Sequence, residues 1–299
     1  MLGVLLVTRA VSACPCSDDA GSSLSLARPD ERFAASLAAT SRHALGRFDA
    51  QGGFHALGPA EAESSEELLL RAALRWPAQL EWLAELGYAS YRFHAEQIVE
   101  RQDSVGDLAL RGRYTLFAEG MPHEAVRFPS LSLSGLLRAP LGALGRDGSS
   151  SFGSGGAQLG LGAWEAGGGV DGSRSITSWL DLSLGAEGAY RFEDRALRKV
   201  RQLGPRLDGW LAARVSPSSW LSTSCALRLR ATGDVRYDGE RLPDTGERLL
   251  TVALGGAVYD AATGFRAALT FSVDPPVRLF SAGASAAAAL GVALGYGLH

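Results

Sequence analysis

The sequence predicts an all-β fold, a transmembrane up-and-down antiparallel β-barrel of about 12 strands, and three observations carry that expectation. Apolar and polar residues alternate with a period of two along most of the chain, which is the period of a strand. The alternating runs are about ten residues or longer, whereas soluble strands cluster at roughly 5 to 6, and about 9 to 11 tilted residues cross a bilayer as a strand. The joints between runs alternate between short and long, as in outer-membrane barrels with short periplasmic turns and longer outer loops.

Residues 105–142 show the pattern best. Leu108, Leu110, Tyr114 and Leu116 share one face while Asp107, Arg111, Arg113 and Thr115 share the other; after Pro129, Leu131, Leu133 and Leu137 oppose Ser130, Ser132, Ser134 and Arg138.

Composition agrees with a barrel. The 299 residues include 37 glycines and 12 prolines, so turns are plentiful, and 46% are hydrophobic. No run of 18 or more apolar residues occurs, which excludes a spanning helix in the body of the chain and leaves a barrel as the way through lipid. The net charge of −3 comes from nearly balanced acids and bases, with Lys199 the single lysine and no basic patch of the kind nucleic acid requires. Cys14, Cys16 and Cys225 are too few, and odd in number, for a disulfide scaffold. Cys14 and Cys16 lack His or carboxylate neighbours at ligand spacing, so no metal is expected. Cys225, on the apolar face of its strand, reads as a small buried hydrophobe.

Residues 1–13 read as a truncated export signal, apolar from Met1 to Val7 and ending in the small-residue site Val11, Ser12, Ala13. The same stretch also fits a lipoprotein box that would acylate Cys14. A polar, Ser-rich segment covers residues 14–30, and residues 31–299 form the barrel.

In order, residues 32–46 set Phe33, Ala35 and Leu37 against Ser36, Thr40 and Arg42, and a Gly, Pro and acid loop follows to residue 65. Residues 67–76 set Leu68, Leu70 and Leu74 against Glu67, Arg71 and Arg75, and Pro77 turns the chain into residues 80–94, with Leu80, Trp82, Leu86 and Tyr88 opposite Glu81 and Glu85. Helix competes over residues 66–86, because Glu, Leu, Ala and Arg are good helix formers; Pro77 and the aromatic run Tyr88, Tyr91, Phe93 favour strands. Beyond the pair in residues 105–142 comes a Gly/Ser loop (141–157), a Gly-rich strand (158–170), and residues 179–193 with Leu180, Leu182, Leu184, Tyr190 and Phe192 against Asp181, Ser183, Glu187 and Arg191. Residues 203–216, 220–235, 247–259, 265–274 and the C-terminal run Leu290, Val292, Leu294, Tyr296, Leu298 complete the set. The joints near Pro77, Gly172, Pro217 and Ala262 are short and most of the others long; residues 119–128 are the one long joint where a short one is expected.

A soluble sandwich or barrel would alternate too. It would leave the long strands unexplained, and about eight strands is the size that side chains fill comfortably, so a twelve-strand apolar interior would be too wide.

Three stretches are similar to a family of bacterial outer-membrane channel or transporter proteins of the type labelled putative MetA-pathway of phenol degradation. They are Gly106-Asp107-Leu108-Ala109-Leu110-Arg111-Gly112-Arg113-Tyr114, the corner Leu137-Arg138-Ala139-Pro140-Leu141-Gly142, and residues 160–192. In that family the corner resembles Lys-Leu-Pro-Thr-Gly, so Leu141 stands where Thr is usual, and His299 stands where such barrels mostly end in Phe or Trp. The resemblance implies a barrel with a transport-like role, a small solute of aromatic or hydrophobic character, no cofactor and no catalytic residues.

With the apolar faces toward lipid, the candidate lumen lining is Arg71, Arg75, Asp107, Arg111, Arg113, Arg138, Asp181, Glu187, Arg191, Arg206, Asp208, Trp210, Arg228 and Arg230, joined by Glu67, Glu81, Glu85, Arg214, Asp234 and Arg266. Mixed signs suggest cross-strand ion pairs that hold the wall and narrow the pore; the competing role is a selectivity ring for a polar or anionic solute. Most of the tryptophans fall near strand ends, as an interfacial girdle does, and Trp210 and Trp164 are read as pointing inward. An enzyme is not expected: Ser90 and His94 are four residues apart on one strand, about 13 Å, and no nucleophile motif is present. A third possibility is a structural or surface-binding barrel with a plugged lumen. Membrane lipid and a small solute are the expected partners, in the outer membrane of a Gram-negative bacterium with both termini periplasmic.

Overall fold

The computed structural model describes residues 31–58, 61–77, 79–95, 98–117, 129–141, 163–196, 199–278 and 280–298. Twelve strands form one wall: β1 Phe33–Phe48, β2 Glu61–Arg75, β3 Leu80–Ala95, β4 Ile98–Phe117, β5 Ser130–Ala139, β6 Glu165–Ser175, β7 Leu180–Arg191, β8 Arg206–Val215, β9 Leu221–Thr232, β10 Arg248–Tyr259, β11 Phe265–Val273 and β12 Ser285–Leu298. Each pairs antiparallel with its sequence neighbour, and β12 returns to β1. That seam runs from Phe33 opposite Leu298 to Arg47 opposite Ser285, with one irregularity between Ala44 and Gly46. The expected all-β, closed, up-and-down barrel of twelve strands is what forms.

The distribution of side chains is inverted relative to a soluble protein. Leu68, Leu70, Leu110, Leu133, Leu184, Leu211, Leu254, Leu269 and Leu290 are exposed on the outer surface, whereas Glu81, Asp107, Glu165, Glu187, Arg206, Asp208 and Arg266 are buried. The rest of the buried set is mostly small, with Ala73, Ala212, Ala226 and Ala253 among it. A soluble barrel would bury its leucines at about 25 cal/mol per Å2; this one leaves them outside, where only lipid would solvate them.

Two belts of exposed aromatic side chains border that surface. Trp76, Trp82, Tyr114, Trp179, Trp220, Phe265 and Tyr296 lie toward the rim carrying the short turns, and Tyr88, Trp164, Tyr190 and Phe192 toward the other. From Leu180 to Tyr190 on β7 is ten steps of about 3.3 Å, which at a tilt near 40° is roughly 25 Å of height, the span of an outer-membrane apolar band.

Several boundaries differ from the sequence-based expectation. The structure starts β4 at Ile98 rather than at residue 105, and Ala95 pairs with Ile98, so the β3–β4 joint is a tight hairpin rather than a loop. On one face of this stretch Val99, Arg101, Asp103 and Val105 are exposed and mix charged with apolar side chains, so no apolar stripe forms and the alternation fades while the ladder continues. The Gly-rich strand is Glu165–Ser175, not residues 158–170; Gly172 is therefore inside it, and the turn falls at residues 176–179. Glycines carry no side chain for a period to appear in. The helical alternative over residues 66–86 gives way to β2 and β3. On the long-joint side, the short strands Asp194–Ala196, Lys199–Gln202, Arg236–Tyr237 and Glu240–Arg241 make a separate four-stranded sheet, and Phe54–Ala56 pairs with the upper end of β1. The presumed export signal, Cys14, Cys16, residues 119–128 and most of the 141–157 loop lie outside the described residues.

Candidate functional site

Register places the candidate charges opposite one another. Because successive residues of a strand alternate faces, every polar side chain of a half-buried sheet reaches the same interior. Arg71 stands opposite Glu85 and Arg75 opposite Glu81 across β2 and β3, Arg191 opposite Glu165 across β6 and β7, Arg214 opposite Asp181 across β7 and β8, and Arg230 opposite Asp208 across β8 and β9. All five become ion pairs, at 3.2 Å for Arg71 with Glu85, 2.7 Å for Arg75 with Glu81, 3.0 Å for Arg191 with Glu165, 2.8 Å for Arg214 with Asp181 and 3.0 Å for Arg230 with Asp208.

Arg206 is the hub of a larger lattice. Its guanidinium meets Glu165 at 3.0 Å, Glu187 at 2.6 Å and Asp208 at 2.8 Å, and Asp208 also takes Arg228 at 2.9 Å. The like-charged pair Asp208 and Glu187 is directly opposite across β7 and β8, an unfavourable arrangement that Arg206 neutralises. From Glu187 the lattice continues to Arg111, which also binds Glu85 at 3.3 Å.

The Arg111 to Glu187 pair joins β4 to β7, with two strands of wall between them. Such a contact cuts across the interior as a chord. Small inward residues on the intervening strands, Ser132 and Ser134 on β5 and Gly167 and Gly169 on β6, leave the room for it. Arg113 makes a shorter chord to Asp171 on β6 at 2.6 Å. Arg138 lies 3.9 Å from Glu165.

Trp210 shares the inward face of β8 with Arg206 and Asp208. Its indole lies over Gly185 of β7, where a Cβ would collide with the ring, and its Nε1–H is buried without a hydrogen-bond partner among the described residues. Asp107 is buried within β4.

Two other inward expectations are corrected. Trp164 is exposed beside the fully buried Glu165, so it lies on the outer surface; the glycines that follow it leave the alternation no side chains with which to fix its face. Asp234 lies past the end of β9, in the loop toward β10, where it binds Arg241 at 2.5 Å and accepts the Gly246 N–H at 2.7 Å. The Arg241 guanidinium, then the Gly246 N–H, hold the Asp234 carboxyl below its ordinary range. Cys225 is exposed on the outer, apolar face of β9.

Sequence reasoning left several interior acids out of the lining, among them Glu63 in β2, which binds Arg47 at 3.4 Å. Glu165 and Asp171 sit in the glycine-rich β6, Glu31 precedes β1 and pairs with Arg266, and Asp274 follows β11 and binds Arg42 at 2.8 Å and Thr251 at 2.6 Å. Glu165 and Asp171 share parity with each other, and that was the available signal.

A closed antiparallel barrel with an apolar exterior and an ion-paired interior is the architecture of bacterial outer-membrane barrels. The fold is similar to the crystal structure of the COG4313 outer membrane channel from Pseudomonas putida F1, with a TM-score of 0.70 at 13% sequence identity, covering 90% of this chain and 96% of that one. Looser matches are the translocator domain of the autotransporter NalP from Neisseria meningitidis (TM-score 0.48, 12% identity, 94% of this chain and 91% of that one) and the KdgM porin (0.46, 11%, 88% and 99%). No protein-family model and no curated protein matches the chain.

Proposed function

We propose that this protein is an outer-membrane channel or transporter that passes small solutes through a narrow, charged lumen. The single observation that carries the reading is the inversion of the barrel: exposed leucines outside, buried Arg, Asp and Glu inside, in a sheet closed by β12 on β1. The similarity of fold to an outer-membrane channel supports it. Arg71, Arg75, Asp107, Arg111, Arg113, Arg138, Asp181, Glu187, Arg191, Arg206, Asp208, Trp210, Arg228 and Arg230 would then line the path. A membrane address fits an export signal at residues 1–13, and the short turns at the rim where β1 starts and β12 ends fit periplasmic termini in a Gram-negative envelope. Aromatic or hydrophobic solutes rest on the family resemblance of the sequence. The reading is of a non-catalytic protein, and no hydrolysis of lipid esters by the refolded protein, with no difference on Ser90→Ala, is the expected result.

Planar-bilayer recording and liposome swelling with refolded protein test the proposal. Ion current together with solute uptake is the expected result, and a silent bilayer with impermeable liposomes would overturn it. The Arg111 to Glu187 chord favours a second reading, a structural or surface-binding barrel whose lumen is closed. That reading gains if current appears only when the chord is cut, as in Arg111→Ala.

A further inference from the structure

The interior charges are balanced in sign but sorted by depth. Arg228 and Arg230 have side-chain exposures of 25% and 43%, whereas Asp208, which holds both, has 3%. Arg138 is 24% exposed against 0% for Glu165, and Arg42 28% against 5% for Asp274. The physical cause is reach. An aspartate ends close to the wall, and an arginine on the neighbouring strand can bind it with one edge of its planar fork while other N–H groups point toward the axis. Among the described acids that depart from the pattern, Glu85 and Asp181 are more accessible than Arg71 and Arg214, and Glu247, near Arg230, is exposed. Glu85 is held by both Arg71 and Arg111, and Asp181 by Arg214.

The sorting is strongest at β8 and β9. There one carboxylate, Asp208, is shared by Arg206, Arg228 and Arg230, which leaves positive charge in excess, and the two accessible members of the group are both guanidiniums. The two accessible guanidiniums offer donors and no acceptor.

We infer that the lumen prefers anions, and that Arg228 and Arg230 form the contact site for small anionic solutes, carboxylates among them. This inference rests on the channel reading above. A solute in the lumen meets the exposed guanidiniums before the buried carboxylates, so the count of charges does not set the selectivity.

The test is the reversal potential of the refolded protein in a planar bilayer under a potassium chloride gradient. A unit charge a few Å from a permeating ion in a watery pore shifts its occupancy by about fivefold, so a chloride preference of about that size is expected. Arg228→Gln combined with Arg230→Gln should bring the ratio toward one, and Arg228→Lys with Arg230→Lys should keep it. Asp208→Asn, which removes the shared counter-charge, should raise it, and heat-modifiable migration on a gel identifies the variants that fold. Current that is unselective or cation-preferring in the wild-type protein, or a chloride preference the Gln pair leaves intact, overturns the anion site and leaves the channel standing. Absence of any current overturns the channel reading and this inference with it.

Discussion

Replacing Arg206 by Gln should be among the most damaging single polar changes in the wall. Its side chain is nearly dry and closes three ion pairs, with Glu165, Glu187 and Asp208. Each acid keeps other partners, Arg191 for Glu165, Arg111 for Glu187, Arg228 and Arg230 for Asp208, so the loss is partial at each. Removing one member of a buried ionic group still leaves like charges facing one another, here the directly opposed Asp208 and Glu187, and such changes cost about 3 to 5 kcal/mol. Arg214→Gln is the internal comparison. It breaks the pair with Asp181, whose two side chains are about one-fifth exposed, and pairs with that much water contribute roughly 1 kcal/mol or less. Urea titration of vesicle-refolded protein, read by tryptophan fluorescence and by the heat-modifiable gel shift, measures both. Equal destabilisation by the two variants would refute the claim that burial sets the strength of this lattice.

Three further outcomes are expected. Leu184→Arg on the outer face of β7 should cost about 2 to 4 kcal/mol in lipid vesicles while Phe192→Arg, at the aromatic belt, should cost about 1 or less; equal costs would mean that the band lies elsewhere. Gly185→Ala should force the Trp210 ring off β7, at about 1 to 3 kcal/mol for overpacking, with Trp210→Ala in the same chain restoring the urea midpoint. Asp234 has its folded pKa lowered, so its tethers to Arg241 and the Gly246 N–H are present above the unfolded value, about 3.9, and are lost as pH falls through the folded one. The Gly246 amide resonance should therefore stay unchanged from pH 7 to about pH 4 and move only below it; titration near pH 6 would contradict the assignment.

The barrel was legible wherever side chains record both faces of a strand. On β7, Leu182 and Leu184 against Asp181 and Ser183 define an inside and an outside without further help. Legibility failed on β6, because Gly167, Gly168 and Gly169 record nothing, and the consequence spread to Trp164, Glu165 and Asp171, whose faces had no neighbouring side chains to assign them. It failed again at the upper half of β4, where Val99, Arg101, Asp103 and Val105 mix charged and apolar residues on one face, and for the four-stranded rim sheet, whose members are two to four residues long and too short to show a period. The composition of the lattice could be anticipated from strand parity. Its connections could not: Arg111 and Glu187 are 76 residues apart in the chain, and which acid an inward arginine reaches depends on register and on the small residues between, neither of which alternation reports.

The chord from β4 to β7 and the hub at Arg206 also constrain the order in which the wall can be built. A sheet inserted into lipid before β12 meets β1 would keep the pairs between adjacent strands but lose the contacts that the finished curvature brings within reach, Arg111 with Glu187, Arg113 with Asp171 and Arg206 with Glu165. At up to about 2 to 4 kcal/mol for each guanidinium near the midplane, those three would raise a half-assembled intermediate by as much as roughly 6 to 12 kcal/mol. Curling and insertion must therefore advance together, and the lattice makes the open, membrane-embedded sheet a state the chain has to avoid.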